Sequence, residues 1–492
     1  MQIMNRLLRS TRLVSLMLIS GACFLSDAHA QSLIQTLLLE ALAAAAQAPP
    51  VDIYLAIRTD GAVGSGTADD PFDASTPERY DGLLGTYFRN TIFHYGPGTY
   101  QTNGWVYRQQ QTAGPNCKHY GAGIDQTIIQ LVGASNPNTD GVIFGSDDDA
   151  VADGFEVQNA TLDCNAAGNP IFVNGLGAVG AVDTQGSNIL IQNVKVINFG
   201  TSHAGTECFA VFVVPEASFN WRSFDNIQVQ NCIFTSPATG NKDGLSCIVI
   251  SGATGVTMTN TAVVNSSFID LQSDFTYSHA FYAEQCTGNF VQNCETGTYS
   301  EPSTPQNSPW LVQNNTFTNV SQGATINFHS TGSVQELRFL NNTVTLRNIL
   351  GSWSTAVDVI EPTEPLNGNL PEVVSLIIEG NNIQPLTTTP TYNPYYVGFD
   401  IQSPNLKYSI GNLQILDNIF SSAAPQNAEQ ILISNSPNFL GSSSISGNVF
   451  DNGSSVAVNY QPVLQISLSP SFLAIPAEPS TIWDRVVRRP AR

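Results

Sequence analysis

Scarce side chains that transfer protons recur at a similar distance after an asparagine in a repeated motif. Three of them follow the asparagine by 14 residues, one follows it by 12, and two fall in the loop of a shorter repeat. If each repeat restarts at its asparagine, all six lie near one another on one long face. Carboxyl, imidazole and phenol groups at one place suit acid–base catalysis. The predicted catalytic residues are Glu207, Asp243, His279, Tyr299, Glu301 and His329.

Polar side chains beside these positions are predicted to bind the substrate. They belong to the same short segments, and three of the few histidines of the chain fall on this predicted face. For any single histidine, a structural hydrogen bond to a neighbouring turn is the alternative. The predicted binding residues are His203, Lys242, Asp274, Tyr277 and Asn327.

Two reaction types fit this set of residues. In the first, Glu207 and Asp243 act as general acid and base on a glycosidic bond, as in a glycoside hydrolase. In the second, His279 or Tyr299 removes the proton next to a uronate carboxyl, while Lys242 or a metal ion neutralises that carboxyl. The second chemistry describes a polysaccharide lyase or a C5-epimerase.

A third hypothesis is a non-catalytic glycan-binding or adhesive surface protein. Exposed aromatic rings would then hold sugars without perturbed titratable groups nearby. The candidate rings are Trp221, Trp310 and Trp353, together with the segment 392–396. For each ring, packing in the core is the alternative.

The repeated motif predicts the fold. It reads hydrophobic-x-hydrophobic-x-Asn-x-hydrophobic, and its copies are 22 to 40 residues apart. A repeat of short strands at such a period is typical of a solenoid, since one coil buries its apolar face only against its neighbours. We therefore expect an all-β, single-stranded parallel β-helix of about 10–12 coils. The motif asparagines are Asn159, Asn193, Asn231, Asn265, Asn293, Asn315, Asn342, Asn382, Asn418 and Asn448.

The N-terminal part of the mature chain resembles a known superfamily. Gly64-Ser65-Gly66-Thr67 with Pro71-Phe72, a helix at Pro77–Phe88, the turn Gly96–Tyr100 and the strand after Gly121-Ala122-Gly123 follow one another. This order resembles the opening of pectate-lyase-like right-handed parallel β-helix proteins. The resemblance covers roughly residues 51–455 and implies a right-handed coil. It leaves the activity open, because the superfamily holds lyases, hydrolases, epimerases and adhesive proteins.

Local motifs of the individual enzyme families match less well. The segment Asp274–His279 resembles the Tyr…Asp-Pro-His stretch of alginate epimerases, although the proline is absent and the order differs. The R-x-P-x-x-R signature of calcium pectate lyases is missing. The sequence therefore predicts the superfamily's fold without selecting one of its reactions.

The net charge of the chain limits the classes of molecule that it is expected to bind. The formal net charge is −21, which disfavours nucleic acid and anionic membrane surfaces. We expect a polysaccharide partner and a monomeric chain. The sequence does not assign a cofactor; calcium is a candidate ligand of the acidic cluster Asp147–Asp149, where a solvated turn is the alternative.

The chain divides into five predicted regions. Residues 1–30 read as a signal peptide, since arginines precede an apolar stretch and Ala28-His29-Ala30 offers a cleavage site. A leader or capping helix at 31–50, an entry region at 51–135, the β-helix at 136–466 and an irregular tail at 467–492 follow. Secretion or periplasmic location is expected, without a membrane span. The seven cysteines left after cleavage are predicted to be buried, and an export route also permits a disulfide.

Overall fold

The computed structural model describes residues 49–461, apart from several loops. The segments outside the description are 106–110, 134–140, 147–150, 175–176, 202–207, 214–223, 236–244, 251–257, 272–278, 282, 301–305, 329–332, 348–354, 361–370, 387–396, 401–407, 422–430, 435–437, 440–442 and 451–457. The predicted signal peptide, the capping helix, the acidic cluster Asp147–Asp149 and the C-terminal tail also lie outside the described residues. Those predictions stay predictions.

The described residues are dominated by strands. Two helices occur among them, α1 (Pro77–Tyr87) and α2 (Pro170–Val173). In chain order the strands are β1 (Val51–Ala56), β2 (Phe72–Asp73), β3 (Thr91–Tyr95), β4 (Gly98–Thr102), β5 (Cys117–Tyr120), β6 (Thr127–Leu131), β7 (Gly141–Gly145), β8 (Glu156–Asp163), β9 (Ala178–Thr184), β10 (Ile189–Ile197), β11 (Gly200–Thr201), β12 (Cys208–Val213), β13 (Phe224–Gln230), β14 (Ile233–Thr235), β15 (Leu245–Ile250), β16 (Met258–Val264), β17 (Ser267–Ile269), β18 (His279–Phe281), β19 (Gln285–Thr287), β20 (Phe290–Gln292), β21 (Thr296–Ser300), β22 (Gln306–Gln313), β23 (Thr316–Val320), β24 (Gln322–Asn327), β25 (Ser333–Leu340), β26 (Thr343–Leu346), β27 (Thr355–Ile360), β28 (Glu372–Glu379), β29 (Asn382–Pro385), β30 (Val397–Asp400), β31 (Ser409–Leu416), β32 (Ile419–Phe420), β33 (Ile431–Ser434), β34 (Asn438–Phe439), β35 (Ser443–Ser446), β36 (Val449–Phe450) and β37 (Val458–Gln461).

These strands form the predicted right-handed parallel β-helix. A 25-stranded sheet, here called the major sheet, and a 12-stranded sheet, the minor sheet, run along the stack. Each central coil gives the major sheet one strand on either side of a sharp corner and gives the minor sheet a third strand. In the coil of β10, for example, the two halves of the strand pair in parallel with β13 and β14 of the next coil. The fold class expected from the repeat is confirmed.

The corner within the major sheet has two positions with different roles. The first position has a left-handed backbone, with φ of 51° at Asn193 and 53° at Asn341. Asparagine, aspartate and glycine tolerate this conformation better than other residues, which explains their recurrence there. The second position points into the coil. It is apolar or small in the early coils, as at Val194 and Cys232, and asparagine in the later ones.

The inward asparagines form one hydrogen-bonded ladder. The side-chain Nδ2 of Asn315 donates to Oδ1 of Asn342 (3.0 Å) and to the carbonyl oxygen of Cys286 (2.8 Å). The backbone N of Asn315 donates to the same Oδ1 at 2.9 Å. The same pattern satisfies the buried amides in coil after coil. The ladder residues are Asn289, Asn315, Asn342, Asn381, Asn418 and Asn448.

The position of the ladder shows that the copies of the sequence motif were not all aligned on the same corner residue. The motif asparagines up to Asn265 occupy the first corner position, whereas Asn315 and Asn342 occupy the second. Asn382 follows the ladder residue Asn381 by one position. Asn293 lies at a different corner, where it accepts a hydrogen bond from Asn319. The sequence motif therefore identified the repeat correctly, but its asparagines belong to different positions of the corner in different coils.

The entry region supports the first coils with a polar chain inside an aromatic core. Tyr95 Oη lies 2.9 Å from Tyr80 Oη and 2.6 Å from His119 Nδ1. The His119 ring also stacks on Phe93, and its Nε2 lies 3.3 Å from Cys117 Sγ. Burial lowers the pKa of His119 to about 3, so this imidazole is neutral in the folded protein.

Several smaller predictions can be compared with the structure. The helix expected at Pro77–Phe88 is α1, which Thr76 caps and Pro77 opens. Trp310 lies in the core, so it cannot serve as an exposed sugar-binding ring. Cys117, Cys232, Cys286 and Cys294 are buried thiols, as expected of small apolar residues in a stack. Within the described ranges, no helix is long and apolar enough to cross a membrane.

Candidate functional site

The structure describes three of the eleven predicted site residues, and all three belong to the minor sheet. His279 begins β18, Tyr299 lies in β21 and Asn327 ends β24, on three successive coils. The other eight lie outside the described residues: Glu207, Asp243, Glu301, His329, His203, Lys242, Asp274 and Tyr277. The described residues of the predicted face therefore belong to three successive coils in its middle.

The strand register shows how these residues align. Tyr299 pairs with Thr325, which pairs with Asp358 on the next strand. His279 instead pairs with Thr296, three positions before Tyr299. Counting from the asparagine thus placed His279 in the correct sheet but in a different row from Tyr299.

Tyr299, Thr325 and Asp358 face away from the core of the coil. Ala324 and Ile326, on either side of Thr325, both belong to the hydrophobic core. Because successive side chains of a strand point to opposite faces, Thr325 and its row partners point outwards. Tyr299 is nevertheless only 7% exposed, Asp358 6% and Thr325 0%. The minor sheet therefore carries buried polar groups on its outer face.

One part of this outer face is a hydrogen-bonded chain across three coils. Thr296 Oγ1 donates to Gln322 Oε1 at 2.9 Å, and Gln322 Nε2 donates to Asp358 Oδ2 at 2.9 Å. A buried carboxylate needs donors, and the amide of Gln322 provides one. The chain therefore fixes the orientation of the Asp358 carboxylate.

A second pair lies on the same face. Asn327 Nδ2 donates to the phenol oxygen of Tyr299 at 2.6 Å. This bond uses the phenol as an acceptor, so the phenol O–H donates in another direction. Tyr299 and Asn327, from successive coils, are thus joined by a hydrogen bond.

The face also contains unused hydrogen-bonding capacity. Thr325 Oγ1 and Asn327 Oδ1 are buried and find no partner within the described part of the chain. Leaving such an atom unsatisfied costs about 1–3 kcal/mol. A buried water molecule would satisfy either atom. We name Thr296, Tyr299, Gln322, Thr325, Asn327 and Asp358 the outer polar cluster.

A titratable pair lies at the corner that leads into this cluster. Glu295 directly precedes Thr296, and its carbonyl oxygen accepts hydrogen bonds from Ser321 N (2.8 Å) and Gln322 N (2.9 Å). Burial raises the pKa of Glu295, and the positive charge of Arg347 partly offsets that rise. Burial likewise lowers the pKa of Arg347, whose guanidinium donates to the carbonyl oxygens of Cys294 and Asn319.

The cluster and its corner offer acid–base chemistry. A carboxyl with a raised pKa can donate a proton, and a fixed carboxylate can accept one. In the described ranges, no group of three or more His, Cys, Asp or Glu side chains could hold a metal ion. The considered calcium position at Asp147–Asp149 lies outside those ranges.

Sequence reasoning missed four members of this surface: Thr296, Gln322, Thr325 and Asp358. Tyr299 and Thr325 each follow the first corner residue of their coil, Gly288 or Asn314, by the same number of residues. That spacing would have shown their alignment, had the corner been assigned correctly. Asp358 could not be found this way, because a longer loop separates it from its own corner at Asn341.

Comparisons with known proteins concern the fold. No protein-family model matches the sequence, and no curated protein matches it. Among solved structures, the chain is similar to the A-module of the mannuronan C-5 epimerase AlgE6 from Azotobacter vinelandii, at 13% identity and a TM-score of 0.44. That match covers 83% of this chain and 100% of the other.

Two further solved structures are similar to a comparable degree. The catalytic domain of a GH87 alpha-1,3-glucanase in complex with nigerose gives 14% identity and a TM-score of 0.45, over 84% of this chain and 68% of the other. PfbA, a surface adhesin of Streptococcus pneumoniae, gives 14% identity and a TM-score of 0.40, over 78% and 83%. The function of this chain is therefore argued from its own residues.

Proposed function

We propose that the protein is an exported polysaccharide-active enzyme whose substrate binds over the outer polar cluster of the minor sheet. The observation that carries the proposal is the buried chain Thr296–Gln322–Asp358 beside the Tyr299–Asn327 pair. Packing does not require these polar groups, because they face away from the core. Polar groups held in place outside the core are typical of a binding or catalytic surface.

Hydrolysis of a glycosidic bond is the reaction that the carboxyl groups of Glu295 and Asp358 favour. In this reaction, Glu295 donates its proton to the leaving glycosidic oxygen, and Asp358 accepts a proton from the attacking water. Burial keeps Glu295 protonated to a higher pH than an exposed carboxyl. Tyr299 and Asn327 then bind sugar hydroxyls.

A neutral polymer is the favoured substrate. The chain carries 39 acidic against 18 basic residues, so a polyuronate would be repelled unless cations intervened. At the corner of the cluster, the guanidinium of Arg347 is buried and already donates to backbone carbonyls. It is therefore poorly placed to neutralise a substrate carboxylate.

Elimination on a uronate is the second candidate. It is favoured by Tyr299, whose phenol oxygen Asn327 holds, and by His279 on the adjacent strand. In this reaction the phenol or the imidazole removes the proton next to the carboxyl. Lys242, which would neutralise that carboxyl, lies outside the described residues.

A polysaccharide panel with two readouts tests the proposal. The full chain is incubated with neutral and uronic polymers, while new reducing ends and the ultraviolet absorbance of unsaturated uronate are followed. We expect reducing ends from a neutral polymer without new absorbance, and at least a hundredfold loss of rate in Asp358→Asn, equivalent to about 3 kcal/mol. Asp225→Asn, a change at an exposed carboxylate of the major sheet, is the matched control and should keep full activity.

Other results would lead to different conclusions. New absorbance that is lost in Tyr299→Phe but kept in Tyr100→Phe would replace hydrolysis by elimination. Retention of a glycan without any product would make the protein a binding module. Full activity of Asp358→Asn would show that the outer polar cluster is not the site.

A further inference from the structure

A row of aromatic and amide side chains crosses the outer face of the major sheet in the first coils. His94 pairs with Tyr120, Tyr120 with Gln158, and Gln158 with Gln192, so these four residues lie on successive strands in one register. Tyr54 of β1 stacks on His94, with ring centroids 4.5 Å apart and planes 15° from parallel. We name these five residues the aromatic strip.

The strip faces solvent rather than the core. Tyr54, His94, Tyr120 and Gln158 are half-buried, whereas their neighbours in the strands alternate into the hydrophobic core. Tyr120 meets His94 edge-on, at 6.0 Å and 72°. The three rings thus form a partly exposed platform that core packing does not require.

The charges around the strip compensate one another. His94 Nε2 lies 2.7 Å from Asp52 Oδ1, and Lys118 forms an ion pair with Glu156. Glu156 also accepts hydrogen bonds from Tyr120 Oη at 2.7 Å and from Gln158 Nε2 at 3.0 Å. Because Lys118 is paired with Glu156, this lysine gives the strip no excess positive charge to attract a polyanion.

The strip continues along the stack as an amide row. Gln192 pairs with Gln230, and Gln192 Nε2 donates to Gln230 Oε1 at 3.3 Å. Strands of a sheet are about 4.8 Å apart, so the row places one side chain at each such step. An extended chain lying along the first coils would meet an aromatic face or an amide on each strand of the row, from β3 to β13; the row ends there, because Gln230 pairs with Val264.

We propose that the aromatic strip is a second glycan site, which holds an extended neutral polysaccharide apart from the outer polar cluster. Pyranose rings present apolar C–H faces that pack on aromatic rings, and their hydroxyls bond to amides and to the tyrosine O–H. The aromatic rings and amides of the strip, and not the outer polar cluster, are what indicate this class of ligand. The strip can therefore bind whether or not the cluster cleaves.

Affinity electrophoresis of the full chain tests this site. The protein carries Asp358→Asn so that no polymer is cleaved, and the gels contain xylan, galactomannan, mixed-linkage glucan or polygalacturonate. We expect retention by at least one neutral polymer. Tyr54→Ala with Tyr120→Ala should weaken the retention about fivefold or more, as the loss of two ring contacts predicts. Tyr120→Phe keeps the ring and should keep most of the retention.

A substitution far from the strip is the control for the loss of retention. Gln285→Ala changes an exposed side chain of the same sheet, several coils away, and should not alter retention. Equal retention after the double alanine change, retention by polygalacturonate alone, or no retention by any polymer would overturn the proposal. So would a dimer in light scattering that the double change dissociates, because the strip would then be an interface between two copies. Unchanged thermal unfolding of each variant excludes misfolding as the cause.

Discussion

At the scale of single residues, the inward asparagines show how one amide can serve three coils. Asn342 Oδ1 accepts from the backbone N and the side-chain Nδ2 of Asn315. Its own Nδ2 donates to the Val312 carbonyl at 3.0 Å and to Asn381 Oδ1 at 3.1 Å. A buried polar group is tolerated when all its bonds are made, and here the stack makes them.

We predict that Asn342→Ala destabilises the protein by about 2–4 kcal/mol, since it leaves buried donors and acceptors unpaired. Denaturant unfolding measures the loss. The matched control is Asn341→Gly at the first corner position, where φ is 53° and glycine is well suited. That change should cost well under 1 kcal/mol. Equal losses in the two variants would refute the division of roles at the corner.

His119 gives a pH dependence with a definite sign. Burial lowers its pKa from 6.5 to about 3, so between these values the unfolded chain binds a proton that the folded chain excludes. The neutral imidazole's contribution is therefore complete above about pH 6.5 and is lost progressively as the pH falls. At about pH 5 the loss is about 2 kcal/mol.

The unfolding free energy of the wild type and of His119→Phe, measured from neutral to acidic pH, checks this prediction. The wild type should lose about 2 kcal/mol more than the variant between about pH 7 and pH 5. Comparison with the variant cancels the titration of all other groups. Parallel pH profiles would mean that His119 does not titrate as its burial requires.

The residue scale also shows what the sequence can and cannot reveal about the site. The sequence predicts that Tyr299 and Asn327 lie on one long face as part of a site, and a hydrogen bond joins the two side chains. Gln322 and Asp358 were not predicted as site residues. The strand position at which a side chain pairs with the next coil depends on the length of the loop between the corner and that strand, and the sequence alone does not show this length. His279 was placed three positions off for the same reason.

At the scale of elements, close packing of the minor-sheet strands depends on small residues. A Cβ added at Gly323 of β24 would lie 2.5 Å from the carbonyl oxygen of Ala356 in β27. This contact is to backbone and cannot be relieved by a side-chain rotation. The strands that carry the outer polar cluster would have to separate.

We therefore expect Gly323→Ala to destabilise the protein by about 1–3 kcal/mol, the usual cost of overpacking. The matched control is Gly85→Ala in helix α1, where an added Cβ meets nothing within 4 Å. The control should stabilise the protein by about 0.5–1 kcal/mol, because alanine favours the helix. Thermal unfolding of the two variants should thus shift in opposite directions. A Gly323→Ala variant as stable as the wild type would disprove the tight approach of β24 to β27.

The sequence predicted the helix and the parallel strands better than it predicted which residues form the corners between strands. Helix α1 followed from Thr76 and Pro77, and the parallel strands followed from apolar residues around a recurring asparagine. The corner has two positions that both accept asparagine, one for its backbone conformation and one for its side-chain bonds. The spacing of asparagines alone could not separate these two roles.

At the scale of the whole molecule, the stack presents two separate outer surfaces. The minor sheet carries the outer polar cluster, with Asp358 and Tyr299, in the middle of the described coils. The major sheet carries the aromatic strip, with His94 and Tyr120, in the first coils. A solenoid can display both because each coil contributes to every face. The two proposals fail independently: Asp358→Asn affects turnover, whereas Tyr120→Ala affects retention.

The structure of Asp358→Asn with an oligosaccharide of the cleaved polymer tests the central claim most directly. Our account predicts sugar density over the minor sheet, with hydroxyls within hydrogen-bonding distance of the Tyr299 and Asn327 side chains, which are joined by a hydrogen bond. It also predicts that the scissile bond lies between Glu295 and position 358. A sugar bound only elsewhere, without contact to Tyr299 or Asn327, would contradict the assignment of the outer polar cluster as the active site.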